Sequence, residues 1–502
     1  MSTTMKYTNP VLPGFYPDPS VCAVDGTYYM VCSSFQYFPG VPLFESKDLI
    51  NWTQIGNVLT RDSQLPVYDA ASSEGIFAPT IRYHKGRFYI VTTNVSHGGN
   101  FYVYTDDIYG EWSDPVFVEQ GGIDPSLYFE GDTAYFMSNG TDENGQNGIF
   151  QCEIDIATGK KLTGGKCIWH GNGGRFLEGP HLYRFGDTYY LLASEGGTEY
   201  GHMLIYAKGK TPYGPFEGYP HNPFLTNRNI GGYRLQGCGH GDIVQDTNGN
   251  YWLIHLAFRQ IHEWVMHHTL GREVCLVPVT FDADGWFTAG ENGTTRLEME
   301  TDRLPENLIQ QPLPEYTFSN TKPGLQWCYL RNPDMTKYTF TPDSFTLKAG
   351  KDTLDEPKGA PTFLALRQQE FSFSLTCDVT VTGAEAGVSV YMTEEQHYDL
   401  ILQKTPGGCR MLRRLRIGDL ITEDFMQDIS GDTVRFRIDA TDMAYSFHAE
   451  AEGKSYDFGA AQSKFLSTEI AGNFTGVMLA LFSQSGEGTA TFRNFRLKYK
   501  QD

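Results

Sequence analysis

The chain has 502 residues, enough for two or three domains at about 150 residues each. Its 60 acidic residues against 39 Lys and Arg give a formal net charge of −21, which disfavours nucleic acids and anionic membrane surfaces as partners. Glycine is frequent, at 54 residues, and 14% of the residues are aromatic, which favours turn-rich β-structure. The sequence has no apolar run typical of a signal peptide or membrane helix, so we expect a cytoplasmic protein.

One sequence pattern recurs five times along the first 300 residues. A short apolar strand is followed by a turn with glycine and then by two or three aromatic or apolar residues, as in Pro79-Thr-Ile-Arg-Tyr-His-Lys-Gly86-Arg-Phe-Tyr-Ile. Each copy is typical of a β-hairpin. The spacing of the turn glycines is close to that of propeller blades and predicts a five-bladed β-propeller over residues 1–303. These glycines are Gly26, Gly86, Gly131, Gly186 and Gly249.

The pattern changes after residue 303. Residues 304–324 contain several prolines and no periodic apolar pattern, which is typical of a linker. Beyond residue 325, apolar and polar residues alternate strictly, as in Val434-Arg-Phe-Arg-Ile-Asp. This alternation predicts a C-terminal β-sandwich over residues 325–502, of the jelly-roll, concanavalin-like type. The fold class is therefore all-β.

The residues just before the five repeated patterns are candidates for a functional site. Equivalent positions in propeller blades meet around one axis, so these side chains should converge at one mouth of the central channel. Three acids crowded there would repel one another, and at least one should keep its proton at neutral pH. Such an arrangement is typical of acid and base catalysis. The five residues are Asp18, Ala78, Asp124, Glu178 and His240.

Two carboxyl groups across a sugar-sized pocket are the apparatus of glycoside hydrolysis. The segments around the three acids closely resemble the motifs of glycoside hydrolase family 43, and Trp327-Cys-Tyr-Leu-Arg-Asn-Pro resembles the start of the β-sandwich appended to its β-xylosidases and α-L-arabinofuranosidases. The acid-bearing segments are Gly14-Phe-Tyr-Pro-Asp18-Pro-Ser, Gly122-Ile-Asp124-Pro-Ser and Phe176-Leu-Glu178-Gly-Pro-His.

The resemblance implies an inverting exo-hydrolase in which Asp18 is the general base and Glu178 the general acid. Asp124 would tune and orient Glu178. For inversion, the carboxyl groups of Asp18 and Glu178 should lie about 6.5 to 9.5 Å apart, which leaves room for the attacking water.

The resemblance also assigns roles around the acids. His240 would lie under the substrate and contact a calcium or sodium ion on the propeller axis through water, although no cofactor is required. Arg272 would lie against the catalytic carboxylates and hold Asp18 or Asp124 ionised. Ala78 and four other residues are predicted to contact the sugar: Phe35, Phe77, Thr198 and Phe258. The family often has tryptophan where this chain has Phe77. The resemblance therefore does not determine which residue forms the wall on the leaving-group side.

The predicted activity is release of D-xylose from the non-reducing ends of β-1,4-xylooligosaccharides, with α-L-arabinofuranose as a second sugar. The alternatives are an enzyme acting mainly as an α-L-arabinofuranosidase and, from a different class, a propeller that binds glycans without cleaving them. The expected partners are small oligosaccharides such as xylooligosaccharides and arabinoxylan fragments, and the sequence leaves a homo-oligomer open.

Overall fold

The computed structural model describes residues 4–318 and 320–500, and over these residues the protein is almost entirely β-structure. Its helical elements are α1 (Thr468–Ala471) and two 3₁₀ turns, Met335–Lys337 and Ser463–Leu466. In this part of the chain no helix has the length and apolar character needed to cross a membrane. The predicted domain limits at residues 1 and 502 lie outside the described residues.

The first 23 strands of the described chain build the N-terminal part of the molecule. They are β1 (Met5–Thr8), β2 (Ser20–Val24), β3 (Thr27–Val31), β4 (Tyr37–Phe38), β5 (Gly40–Ser46), β6 (Thr53–Leu59), β7 (Thr80–His84), β8 (Arg87–Asn94), β9 (Gly99–Thr105), β10 (Val116–Phe117), β11 (Ser126–Glu130), β12 (Thr133–Thr141), β13 (Asn147–Ile154), β14 (Lys166–Trp169), β15 (Glu178–Phe185), β16 (Thr188–Glu195), β17 (Met203–Gly209), β18 (Glu217–Gly218), β19 (Leu235–Gln245), β20 (Tyr251–Arg259), β21 (Glu273–Phe281), β22 (Phe287–Ala289) and β23 (Glu298–Thr301).

Twenty of these strands form antiparallel sheets of four, in the orders β2-β3-β5-β6, β10-β9-β8-β7, β11-β12-β13-β14, β15-β16-β17-β18 and β19-β20-β21-β22. The first strands of the sheets are neighbours in the sequence β2, β7, β11, β15, β19, and β19 returns to β2. The sheets therefore surround a common axis as in a propeller. β1 pairs with β23 and ties the chain start to the end of this part.

The five hairpins predicted from the repeated pattern are confirmed. Each is formed by the first two strands of one sheet, from β2–β3 to β19–β20. All five turn glycines have a positive φ, between 60° and 84°, which side chains with a Cβ rarely adopt. This requirement explains why glycine marks the pattern.

The remaining strands form the C-terminal sandwich. They are β24 (Tyr316–Thr317), β25 (Tyr329–Leu330), β26 (Tyr338–Phe340), β27 (Ser344–Lys348), β28 (Thr362–Arg367), β29 (Phe373–Val381), β30 (Glu385–Thr393), β31 (Gln396–Thr405), β32 (Gly408–Ile417), β33 (Leu420–Ile429), β34 (Thr433–Ala440), β35 (Ala444–Ala451), β36 (Lys454–Gln462), β37 (Met478–Gln484) and β38 (Thr489–Tyr499).

An eight-stranded sheet, β26-β27-β38-β29-β34-β35-β36 with β24 beside β38, faces a six-stranded sheet, β28-β37-β30-β31-β32-β33. Buried and exposed residues alternate along β34, as the sequence pattern predicted. β24 lies within the segment predicted to be a linker, and its pairing with β38 makes Tyr316 and Thr317 part of the sandwich.

The sandwich is joined to the propeller by a shared apolar core. Phe15, Phe35 and Tyr37 of the propeller belong to one buried cluster with Tyr391 and Met478 of the six-stranded sheet. β4 also pairs with β25 across the boundary. Because apolar burial is the main stabilising contribution in such contacts, this interface fixes the sandwich against the propeller.

Candidate active site

A cavity of about 90 Å³ lies where the predicted functional positions converge. All five residues that precede the repeated patterns line it. The structure therefore brings Asp18, Ala78, Asp124, Glu178 and His240 together, as the shared position in the repeat predicted. The other lining residues are Phe35, Phe77, Ile123, Ser194, Thr198, His202, Arg272 and Phe474.

Asp18 is held in its ionised form. Arg272 donates a hydrogen bond to its Oδ1 at 3.0 Å, and the Ser33 hydroxyl donates to Oδ2 at 2.5 Å. Burial opposes the negative charge, but the Arg272 guanidinium and the Ser33 hydroxyl outweigh it, so the pKa of Asp18 lies below its ordinary value. An ionised, fixed carboxylate can accept a proton from water.

Glu178 has the opposite character. Burial, followed by repulsion from the Asp18 carboxylate, raises the pKa of Glu178 to about 7. Asp124 is also shifted upward, because it is buried and faces both Glu178 and Asp18. The Gly179 N–H donates to Asp124 Oδ2 at 3.1 Å and so ties Asp124 to the strand that begins with Glu178. At neutral pH the cavity therefore contains both a charged carboxylate and a carboxyl group able to donate a proton.

His240 lies between two of the acids. Its Nδ1 is 3.9 Å from Asp18 Oδ1 and 3.8 Å from Asp124 Oδ2, and its backbone N–H donates to Ser194 Oγ at 2.8 Å. Burial lowers the pKa of His240, which keeps the ring neutral. Gly179 allows this approach, because a Cβ there would lie 2.9 Å from His240 Nδ1.

Three of the site residues share a strained backbone. Asp18, Asp124 and His240 have φ values of 56°, 54° and 38°, in the left-handed region that residues other than glycine seldom adopt. Such conformations cost about 1–3 kcal/mol each and persist where the surroundings impose them. The repeated position thus has a common conformation at three places, which turns these side chains toward one space.

Arg272 takes the place that the resemblance implied. One guanidinium nitrogen donates to both Asp18 Oδ1 and Thr198 Oγ1 at 3.0 Å, and the other donates to the backbone oxygen of Phe474 at 3.2 Å. Phe474 belongs to the C-terminal sandwich. The single arginine therefore joins the predicted base, a propeller loop and the second domain.

Aromatic rings form one wall of the cavity. The centroid of Phe35 is 5.3 Å from that of Phe77 and 6.0 Å from that of Phe474, and the Arg272 guanidinium lies 5.6 Å from the Phe35 centroid. Apolar ring faces of this kind suit the carbon face of a sugar. The Phe474 N–H also donates to Ser73 Oγ at 2.8 Å, which holds this sandwich loop over the propeller.

Phe258 lies outside the cavity lining. Its ring stacks on His268 with centroids 3.8 Å apart and meets Tyr200 edge-on at 5.0 Å. It is fully buried and fills the space beside Gly237, where a Cβ would overlap it. Its position in the structure is that of a core residue, so the predicted sugar contact is not supported.

Sequence reasoning missed four lining residues: Ile123, Ser194, His202 and Phe474. Ile123 and Ser194 adjoin predicted residues, the first along the chain and the second across the sheet from Glu178. His202 is buried, its pKa is lowered to about 3, and it donates through Nδ1 to Gly237 O at 3.2 Å. Neither His202 nor Phe474 stands just before a copy of the repeated sequence pattern, so the pattern did not identify them.

Asp242, two residues after His240, is not free to bind a metal ion. Asp242 is fully buried, and both its oxygens accept hydrogen bonds from Arg82, at 2.7 and 3.1 Å. Arg82 also meets His181 Nδ1 at 3.0 Å. Across residues 4–318 and 320–500, no cluster of three His, Cys, Asp or Glu side chains is suited to a metal ion. An ion held through water alone stays a prediction.

Comparisons with known proteins identify the family of both parts of the chain. Residues 7–287 match the family described as glycosyl hydrolases family 43, and residues 315–498 match the β-xylosidase C-terminal concanavalin A-like domain. A non-reducing-end α-L-arabinofuranosidase of Bacteroides ovatus is 35% identical over 497 residues, covering 96% of this chain and 92% of that protein. A β-xylosidase of Bacillus subtilis is 31% identical, covering 99% of this chain and 100% of its own.

Solved structures agree with these sequence matches. A family 43 protein of Bacteroides ovatus superimposes with a TM-score of 0.93 at 33% identity, covering 99% of this chain and all of the other. A xylan β-1,4-xylosidase of Bacillus halodurans gives 0.89 at 28% identity, covering 98% and 100%. With its three acids in one cavity and both domains matched, the chain belongs to glycoside hydrolase family 43.

Proposed function

We propose that this protein is an exo-acting, inverting β-xylosidase that removes D-xylose from the non-reducing ends of β-1,4-xylooligosaccharides. One observation carries the proposal: the pKa values of two carboxyl groups in the same cavity are shifted in opposite directions. The pKa of Asp18 is lowered beside Arg272, whereas that of Glu178 is raised to about 7. Opposite shifts of this kind separate a base from an acid.

In the proposed reaction Asp18 accepts a proton from a water molecule as that water attacks the anomeric carbon. Glu178 donates its proton to the glycosidic oxygen, the bond from that oxygen to the anomeric carbon breaks, and the sugar is released with inverted configuration. Afterwards Asp18 is protonated and Glu178 is ionised, and exchange with solvent restores both. Asp124, tied to the Gly179 N–H, positions the strand that bears Glu178.

The form of the cavity supports removal of one terminal sugar at a time. Phe474 from the sandwich and Phe35 and Phe77 from the propeller enclose it on one side. The four-stranded sheets around the axis are interpreted as the five blades of the predicted propeller, with the pocket at their shared mouth. A small pocket with these rings along one side would admit a chain end more readily than the middle of a polymer.

An α-L-arabinofuranosidase is the second candidate. The α-L-arabinofuranosidase of Bacteroides ovatus is 35% identical to this protein over nearly the whole chain. Its matched structure has a TM-score of 0.93. Both sugars are pentoses, and the same base and acid would serve either.

The proposal is tested by hydrolysis of an aryl β-D-xyloside and an aryl α-L-arabinofuranoside, with the first product anomer followed by proton NMR. The wild-type enzyme is compared with Glu178→Ala. We expect inverted xylose from the wild type, and the faster substrate decides between the two candidates. Retained configuration would refute the assigned roles. Binding of xylooligosaccharides without hydrolysis, unchanged in the variant, would instead indicate a glycan-binding propeller.

A further inference from the structure

Phe176 is an exposed aromatic residue two positions before Glu178, and the proposed reaction does not use it. Its side chain is 52% exposed, whereas Leu177 beside it is buried. Its φ of 53° is in the left-handed region, which is rare for an aromatic residue and costs about 1–3 kcal/mol. A bulky apolar ring is thus held toward solvent by a strained backbone, so burial in the core does not explain its position.

The ring is held in place from two sides. The guanidinium of Arg175 lies 5.3 Å from its centroid, and Arg175 is itself fixed by Gly196 O at 2.9 Å and by Glu199. The ring edge also packs on Gly197, where a Cβ would lie only 3.0 Å from it. A ring with these contacts loses little freedom when a ligand covers it, which favours binding.

Its place in the chain puts it close to two residues that line the cavity. Two residues span at most about 7 Å, so Phe176 lies within that reach of Glu178. Gly197, which the ring touches, precedes Thr198, and both Thr198 and Glu178 line the cavity. Phe176 is therefore next to the group that protonates the leaving oxygen.

We infer that Phe176 is the platform on which the leaving-group sugar of the substrate stacks, an inference that rests on the proposed function. The general acid must reach the oxygen between the cleaved xylose and the next sugar, so the next sugar lies on the side of Glu178. The carbon face of a pyranose packs on aromatic rings. Phe176 then determines how strongly the enzyme prefers oligosaccharides to xylosides that lack a second sugar.

Binding to an inactive background tests this role apart from chemistry. In Glu178→Gln, the added change Phe176→Ala should weaken xylobiose about tenfold in calorimetry, the loss expected when about 55 Å² of apolar surface is no longer covered. Binding of xylose, which fills only the cavity, should stay the same. Phe176→Trp should restore xylobiose binding. The matched control is Tyr109→Ala, an exposed aromatic residue on another sheet connection.

Steady-state kinetics test the role of Phe176 independently of the binding measurements. In the otherwise wild-type enzyme, Phe176→Ala should lower kcat/KM for xylobiose about tenfold while leaving that for β-D-xylosyl fluoride unchanged, since fluoride presents no sugar to the platform. The alkaline limb of the pH profile should not move, because Glu178 is intact. Equal losses for both substrates, or equal weakening of xylose and xylobiose, would overturn the inference.

The two proposals fail in different ways. If the wild-type enzyme releases no xylose from xylobiose or the fluoride, the proposed function is wrong, and this inference falls with it. If the wild type cleaves both and Phe176→Ala has the wild-type preference between them, only the assignment of Phe176 is wrong.

Discussion

Arg272 and Asp18 are separated by 254 positions in the sequence, yet their side chains form a 3.0 Å ion pair in which both are more than nine-tenths buried. A buried carboxylate without a partner would take up a proton. The pair therefore explains how Asp18 remains charged in a cavity that raises the pKa of the other two acids.

Removing the charge of Arg272 should move both limbs of the pH profile. Arg272 lowers the pKa of Asp18 and also opposes the rise of Glu178, so Arg272→Gln should raise both values. We expect both limbs of kcat/KM to shift to higher pH and the rate to fall at least about 10²-fold. Arg272→Lys keeps the charge and should shift them less. Loss of rate with unmoved limbs would show that Arg272 only shapes the pocket.

The raised pKa of Glu178 predicts the alkaline limb of activity. Glu178 must carry a proton to act as acid, so kcat should fall as the pH rises through about 7. Glu178→Gln should abolish that limb. Its rate loss should reach about 10²- to 10⁴-fold for xylosides with poor leaving groups and be small for activated aryl xylosides. Asp18→Ala should lower the hydrolysis rate with every leaving group, because the attacking water would lack its base. If a Glu178 variant lost the same rate with good and poor leaving groups, the acid role would be contradicted.

Phe474 should influence the pocket from the second domain. Phe474→Ala opens the wall beside Phe35 and Phe77 and admits water, so burial raises the pKa of Glu178 less than before. We expect the alkaline limb to move to lower pH and KM for aryl xylosides to rise about tenfold. Ile470→Ala, an exposed apolar residue of α1, is the control. An unchanged KM and pH profile would exclude a role for this ring.

Arg82 should be essential for stability, because Asp242 is fully buried and depends on its charge. Arg82→Met leaves that carboxylate without a cation and should lower the free energy of unfolding by about 3–5 kcal/mol, measured by urea titration. Lys85 lies in the same hairpin as Arg82 and forms an exposed ion pair with Asp132 of the next sheet, so Lys85→Met should leave stability nearly unchanged. Similar effects of the two variants would refute this account.

His397 should make the sandwich sensitive to alkaline pH. Its ring is buried between Asp399 and Asp355, at 2.8 and 3.1 Å, and these carboxylates outweigh burial and raise its pKa to about 9 from an ordinary 6.5. The stabilisation is complete below pH 6.5 and is lost as the pH rises to about 9. Unfolding free energy measured across this range should fall in the wild type, and the part due to this group should vanish in His397→Gln. If unfolding free energy changed with pH by the same slope in the wild type and in His397→Gln, titration of His397 would not be the cause.

The hairpins and the three acids were predicted from local sequence patterns. Each hairpin is made by neighbouring residues and marked by a turn glycine with positive φ, so the five hairpins were visible in the sequence. The repeat also identified Asp18, Asp124 and Glu178, because equivalent positions meet at the axis. Contacts between residues that are distant in the chain have no comparable local sequence pattern. Phe474 meets Ser73 across 401 positions, and nothing local distinguishes it from other exposed phenylalanines.

The sequence did not distinguish an aromatic residue of the cavity from one of the core. Phe258 and Phe35 were both predicted to contact the sugar. The structure separates them by partners: Phe35 faces Phe77 and the cavity, whereas Phe258 stacks on His268. A sequence pattern predicts burial, but which buried ring borders a cavity depends on packing between distant segments.

The loop bearing Phe474 also determines when the pocket is completed during synthesis. The propeller leaves the ribosome first and can assemble its acids, but the pocket has no complete wall until the end of the sandwich has emerged and docked. A growing chain, or a fragment shortened from its C-terminus past this loop, therefore carries all three carboxyl groups and yet lacks the finished pocket. The complete pocket thus forms only after translation has passed the loop that bears Phe474.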